Sequence, residues 1–443
     1  MILLKKIFSP CCLIVSCLLF FFVFYKSEII FEGSNRNYYF KYYLISSFLI
    51  FFSVITFFLK NNIKNYFIII SITLFLSSYI MEYYLINFNK TEVDNKILKI
   101  KQQSYKKSTG QNWDLRSQYK VYEDLLKINP TAVPYFYPSE LNIDRKQIHS
   151  LSGVANSLTV FCNENGYFSS TESDRYGFNN PDQEWDSSEI EYAFVGDSFT
   201  QGYCVNRPND IPSVVRNLSN KTVLNLGYGR NGPLIEYAVL REYLPKNVKK
   251  IIFMYYSDND LENLNDELKK NILVNYINDQ NFTQNLKNIQ PEIDYVLKRD
   301  IKIRSKGQSY KFLKMKKLRE FLANIINKNE KNYENKESYK FDELEKILFL
   351  TKKLSIENHS KLYFAYLPAN RYFKSQYSTN HDLKHFNKIR SIVEKLEIEF
   401  IDINKEVFEK EQNPQELFPF EMFGHYSEVG YRKVATSIYN VTK

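Results

Sequence analysis

Glycine and proline are scarce, 13 of each in 443 residues, and there are only 2 tryptophans, 5 histidines and 5 cysteines. Asn, Lys, Ile, Tyr and Phe dominate instead, a bias that makes any surviving glycine cluster informative. No repeat of fixed period is visible, which argues against a solenoid or array. The net charge of +9 is spread along the chain with no compact basic patch interleaved with aromatics, so it reads as solvated surface and excludes nucleic acid as a partner. Few histidines leave few candidates for a base or a metal ligand. His381 and His385 stand four apart, a spacing that can bind metal, but only Asp382 accompanies them, so a solvated helix face is expected and no metal or cofactor is called for. His149 and His359 have no visible partner in the sequence.

Long apolar runs are confined to the first 88 residues. Residues 7–25 follow Lys5-Lys6, residues 42–59 are bracketed by Lys41 and Lys60, and residues 66–86 run into a tyrosine-rich "MEYYLINF" that reaches Phe88. Each is close to the ~20 residues that an apolar bilayer core demands. No small-residue cleavage pattern follows Tyr25, so the first run is expected to stay as a helix rather than be removed as a signal peptide. Lys5, Lys6 and the Lys60–Lys64 turn should remain cytoplasmic, which places everything after about residue 89 outside. In a bacterium this means a multi-pass protein of the inner (cytoplasmic) membrane with its bulk in the periplasm. Cys11, Cys12 and Cys17 lie in the first run as apolar filler. Only Cys162 and Cys204 lie outside, where an oxidising compartment permits a bridge, and one is expected between them.

Residues 89–189 read as a polar connector with a helix near 116–127, then a loop-rich stretch, "CNENGYFSSTESDRYGFNNPDQEW". From residue 190 to 443, apolar runs at 192–195, 222–226, 251–255, 362–366 and 399–401 alternate with helical patterns at 211–218, 233–243, 341–357, 383–396 and 428–440. Such alternation predicts an α/β domain with a parallel sheet covered on both faces. A Lys- and Asn-rich segment, about 265–340, interrupts it and is expected to be a helical insertion.

Ligands of open parallel sheets bind beyond the carboxyl ends of the strands. "VGDSFTQG" follows the first run, "NLGYGRNGP" the second and "YYSDNDLENL" the third, and "FGHYSEVGYRKVA" precedes the last helix. Ser198 is a nucleophile once a base takes its proton, and His425 titrates in the right range. The Ser198 N–H, an N–H from the Gly229-Arg230 turn and the Asn259 amide can stabilise an oxyanion. Asp258 and Asp260, beside Asn259, read as structural.

These four blocks, in this order, resemble the SGNH (GDSL-type) hydrolase superfamily over roughly residues 190–443. The resemblance implies a flavodoxin-like sheet, with Ser198 as nucleophile, His425 as base and Asn259 in the oxyanion hole. Two positions depart from the pattern. The Asp often found two or three residues before the histidine is replaced by Met422 and Phe423, leaving a Ser–His dyad, a triad through Glu421, or a ring held by a backbone carbonyl. Gly229-Arg230 stands where Gly-Gly is frequent, so Arg230 brings charge to the pocket. The expected activity is ester hydrolysis on O-acyl groups of a glycan or envelope component. Two alternatives stand beside it: acyl transfer to a polysaccharide, which would require a membrane acyl-donor partner, and a non-catalytic glycan-binding or assembly module.

Overall fold

The structure, a computed structural model, describes all residues except 1, 32, 34–35, 89–91, 144–145, 309–311, 313, 332–339 and 374–379. It divides into two compact units, residues 1–92 with 306–335, and residues 93–305 with 336–443.

The first unit is built on helices α1 (Ile2–Phe24), α2 (Arg36–Phe58) and α3 (Asn61–Phe88). A π-helical turn, Tyr25–Ile30, extends α1. The stretches Lys5–Ile30, Arg36–Phe58 and Asn61–Ile86 are each long and apolar enough to cross a membrane. Their packing inverts that of a water-soluble bundle. Ser16, Ser46, Ser53 and Thr56 are buried, whereas Phe21, Phe48, Phe51 and Leu74 point outward. Ser16 Oγ meets Ser53 Oγ at 2.9 Å, and Ser9 donates to the Thr56 carbonyl at 3.1 Å. Lipid supplies no hydrophobic drive between helices, so small residues and hydroxyl hydrogen bonds carry such contacts. Glu82, fully buried near the end of α3, accepts the N–H groups of Lys317 (3.1 Å) and Leu318 (2.7 Å). A carboxylate there stabilises the first turn of the helix Lys316–Lys331, whose leading N–H groups have no partner within the helix.

The second unit contains a five-stranded, all-parallel sheet. Its strands are β1 (Ile190–Val195), β2 (Val223–Asn225), β3 (Val248–Tyr256), β4 (Lys361–Leu367) and β5 (Glu399–Asp402), ordered β2-β1-β3-β4-β5. Ala193 pairs with Ile251 and Ile251 with Leu362, and β5 closes the sheet through Phe364 and Phe400. Side chains alternate across it as period two requires. Ala193, Val195, Ile251, Phe253 and Phe364 face one apolar layer; Tyr192, Phe194, Ile252, Met254 and Ala365 face the other. Helices α6 (Pro233–Tyr243), α8 (Phe341–Glu357) and α9 (Asn380–Lys395) cover the first face, while α5 (Ile211–Ser219) and α10 (Glu428–Thr442) cover the second. The short α4 (Ser198–Gln201) follows β1, and α7 (Asp260–Glu267) follows β3. Strand order 2-1-3-4-5 is that of the flavodoxin-like doubly wound fold, whose switch point lies between β1 and β3. Fold class and strand positions thus agree with the sequence pattern.

Two segments outside the strand–helix alternation add to the core of the sheet domain. From the stretch before residue 190 come Val133, Tyr135, Leu151, Val154, Phe161 and Phe178. From the helical segment after residue 265 come Leu273, Tyr276, Leu286, Ile293 and Leu297. Residues 306–335 belong to the other compact unit. The Lys- and Asn-rich composition masked a sparse set of apolar positions that are enough to seat these helices.

Candidate active site

The strand ends at the switch point bring the four sequence blocks together. Beyond β1, Asp197 caps α4 by accepting the Phe199 N–H at 2.9 Å, and Gly202 ends it in the left-handed region (φ 81°). This tight turn presents Ser198 partly exposed at the sheet's carboxyl edge. His425 sits just ahead of α10, whose N-cap is Ser427. Its Nε2 lies 2.9 Å from Ser198 Oγ. The rings of Phe199 (4.7 Å) and Tyr203 (5.0 Å) pack against the imidazole and limit its rotation.

The carboxylate that meets the other ring nitrogen is not Glu421 but Glu164. Glu164 Oε1 lies 3.1 Å from His425 Nδ1, and Oε2 accepts the His425 backbone N–H at 2.7 Å. Gly424 makes room for it: a Cβ there would come within 2.8 Å of Glu164 Oε2. Glu421, although only four residues from His425, has an exposed side chain that accepts from Asn413 Nδ2 at 3.2 Å. Both Phe420 and Glu421 have positive φ (56° and 58°), and the turn they make accompanies this displacement.

Glu164 comes from the loop-rich stretch, which is tied down at several points. Cys162 and Cys204 are joined by a disulfide. Asn165 Nδ2 donates to the Cys204 carbonyl at 2.9 Å, and the Tyr167 hydroxyl donates to Glu428 of α10 at 2.8 Å. A single loop therefore clamps the serine turn to the histidine helix. The "GFNN" segment braces the same turn. Asn179 donates to the Gln201 carbonyl (2.7 Å), and Asn180 exchanges hydrogen bonds with the Asn225 backbone (2.7 and 2.9 Å). Asn225 in turn donates to the Thr200 carbonyl (3.0 Å). Glu164, His425 and Cys204 offer three ligand-type atoms close together. The sulfur is committed to the disulfide, and the other two bond each other.

Electrostatics fit a base held ready. Burial pulls the His425 imidazole down, but the charge and hydrogen bond of Glu164, with Asp197 behind them, lift it above its ordinary 6.5. Burial pushes the Glu164 carboxyl up, and the facing imidazole more than reverses this, leaving it below its usual value. Asp197 is pushed up to about 6, mainly by burial.

The oxyanion candidates separate. The Gly229 N–H is spent on Gln201 Oε1 at 3.0 Å, so it is not available as placed. The Arg230 residue has φ 66°, and among the described residues its N–H has no hydrogen-bond partner. Asn259 follows β3 as the N-cap residue of α7 without using its side chain as a cap, and its Oδ1 is buried without a partner among the described residues. Asp258 pairs with Arg371 at 2.9 Å and Asp260 accepts the Tyr256 N–H at 2.7 Å, both structural uses. His149 is buried between the Ser150 carbonyl (2.9 Å) and Lys270 Nζ (3.2 Å), away from the nucleophile's partners. His381 has no described side chain, and His385 packs on Phe341.

A doubly wound α/β domain with a serine, an imidazole and a carboxylate in line at its switch point is thus the class that the fold and site define. No family model and no curated protein matches the chain. Among solved structures, one from Desulfitobacterium hafniense DCB-2 assigned to the G-D-S-L family of lipolytic proteins is 15% identical with a TM-score of 0.30. The acetyl xylan esterase AlAXEase is 14% identical with a TM-score of 0.33. Each alignment covers 57% of this chain and 99% of the other.

Proposed function

We infer that the protein is a serine ester hydrolase of SGNH type, anchored by three membrane-spanning helices with its catalytic domain outside the cytoplasmic membrane. The observation that carries this reading is the continuous line Ser198 Oγ–His425 Nε2 (2.9 Å) and His425 Nδ1–Glu164 Oε1 (3.1 Å). In that geometry His425 takes the Ser198 proton as the oxygen attacks the ester carbonyl. The imidazolium that forms is stabilised by the Glu164 carboxylate, which also fixes Nδ1 as the protonated nitrogen. The Asn259 amide and the Arg230 N–H are the donors for the tetrahedral oxygen. His425 then protonates the departing alcohol, and a water activated by the same imidazole releases the acid. An outward-facing site suits O-acyl groups, such as acetyl, on a glycan or other envelope component.

Against a non-catalytic module stands the Glu164 carboxylate, 3.1 Å from His425 Nδ1 although no acid precedes the histidine by two or three residues. The test is labelling of the full chain with a fluorophosphonate, followed by turnover of an acetyl ester with and without a glycan acceptor. We expect labelling at Ser198, its loss in Ser198→Ala, and acetate as product. An unlabelled Ser198 in folded protein refutes the assignment, and acetylated acceptor in place of acetate converts hydrolysis into transfer.

A further inference from the structure

Beside the serine turn lies a cavity of about 400 Å³, walled on one side by the loop that follows β2 and on the other by α7. It begins where the oxyanion candidates end. Asn263 of α7 is one turn beyond Asn259, its N–H accepted by the Asn259 carbonyl at 2.8 Å, and Arg230 and Asn231 face it across the gap. Tyr137 continues the wall back towards His425 through ring contacts: Tyr137 and Tyr203 both pack on Tyr135 (5.3 and 5.0 Å), and the Tyr203 ring lies 5.0 Å from His425.

The lining holds unsatisfied amides and two basic side chains, Arg230 and Lys270, beside two acids, Asp266 and Glu267. Asn231 is fully buried, yet neither of its side-chain amide atoms has a partner among the described residues, and the Asn263 amide nitrogen is likewise unpartnered. Buried amides are ordinarily hydrogen-bonded, so each such group asks for a ligand or a water. The Arg230 guanidinium makes no ion pair among the described residues and rests 3.9 Å over the Tyr137 ring. The residue carrying it has left-handed backbone, a conformation whose cost clusters at functional sites. Lys270 contributes a second positive charge against His149, which burial keeps neutral. Of the acids at this wall, Asp266 is engaged by Lys269 at 2.9 Å, and Glu267 holds the N–H groups of Gly232, Leu234 and Ile235.

We propose that this cavity binds an acidic sugar unit of the glycan that carries the ester. Arg230 swings from Tyr137 to grip the anion, Lys270 adds charge, and Asn231 and Asn263 take the hydroxyls. The idea rests on the ester chemistry at Ser198, so it is tested without turnover. Full-length Ser198→Ala protein in detergent micelles is titrated calorimetrically with trigalacturonate against galactotriose, and with glucose 1-phosphate against glucose. At least one acidic probe should bind about tenfold tighter than its neutral counterpart, as a charged hydrogen bond of this kind is worth. Arg230→Gln in the Ser198→Ala chain should remove that preference, and fluorophosphonate labelling of Ser198 is read on the unsubstituted chain. Equal affinity for acidic and neutral probes overturns the proposal, as does acidic preference that survives Arg230→Gln. Labelling without acidic preference sinks this proposal and spares the hydrolase reading, whereas acidic preference without labelling does the reverse.

Discussion

Replacing Glu164 by Gln separates a triad from a dyad. The carboxylate has two jobs, each with its own distance: it accepts from His425 Nδ1 at 3.1 Å and from the His425 backbone N–H at 2.7 Å. An amide is nearly isosteric but has only one acceptor oxygen, so one of these two donors must face an NH₂ group. Charge is lost as well. Two unit charges about 4 Å apart interact by about 4 kcal/mol at an effective dielectric near 20. Burial of the imidazole opposes this, and an opposite charge at such range commonly moves a pKa by about 1–3 units net.

The sign follows directly. The base proposed here, His425, works when neutral, and its folded pKa is raised above 6.5. Activity should therefore climb as pH rises through that raised value. In Glu164→Gln only Asp197 is left to oppose the burial penalty, so the midpoint moves down by about 1–3 units. The plateau falls too, by about 10²–10⁴-fold in kcat, because the imidazolium has lost its stabiliser and the tautomer its guide. KM for a small acetyl ester should scarcely change. The assay is a pH–rate profile of p-nitrophenyl acetate hydrolysis for wild type, Glu164→Gln and Glu421→Gln. A Glu164→Gln profile that overlays wild type, or a Glu421→Gln profile showing the loss instead, would refute the reasoning.

Two further expectations concern the frame around the site. The disulfide spans 42 residues of sequence, and opening a loop of that size costs about 4 kcal/mol on the chain-entropy model. Cys162→Ser with Cys204→Ser should therefore lower the unfolding free energy of the sheet domain and cut kcat more than KM, since Glu164 stands two residues from Cys162; unchanged kcat in folded protein would count against the clamp. The second concerns Glu236, which is fully buried with neither carboxyl oxygen partnered among the described residues, and burial holds its carboxyl well above the usual range. A carboxyl raised in the folded state opposes folding increasingly as pH rises above its unfolded value near 4.5, so Glu236→Gln should melt higher than wild type at pH 8, with the gap closing towards pH 5, in thermal scans; a gap independent of pH would refute the buried-acid argument.

How far the sequence alone reaches depends on whether a signal is local. Each strand of the sheet is a short apolar run that must be buried on both faces, so β1, β3 and β4 stood out within a few residues of their ends. Ser198 and Asn259 were legible as candidates because each follows the end of such a strand, and His425 because it stands just ahead of the last helix. Glu164 was not, because it lies in irregular chain 34 residues before the serine, and nothing periodic marks it. The preceding-residue rule instead directed attention to Glu421, which the turn at Phe420 and Glu421 carries away. Yet a long-range signal was present in the cysteines. A bridge from Cys162 to Cys204 brings the chain on either side of Cys162 to within a few ångströms of the serine turn, and the acids in that neighbourhood then become candidates before any local one. Asn165 and Tyr167, pinned to Cys204 and Glu428, show the same segment acting as a strap from nucleophile to base. In this chain the covalent cross-link, rather than proximity in sequence to the histidine, is the physical guide to the third member of the site.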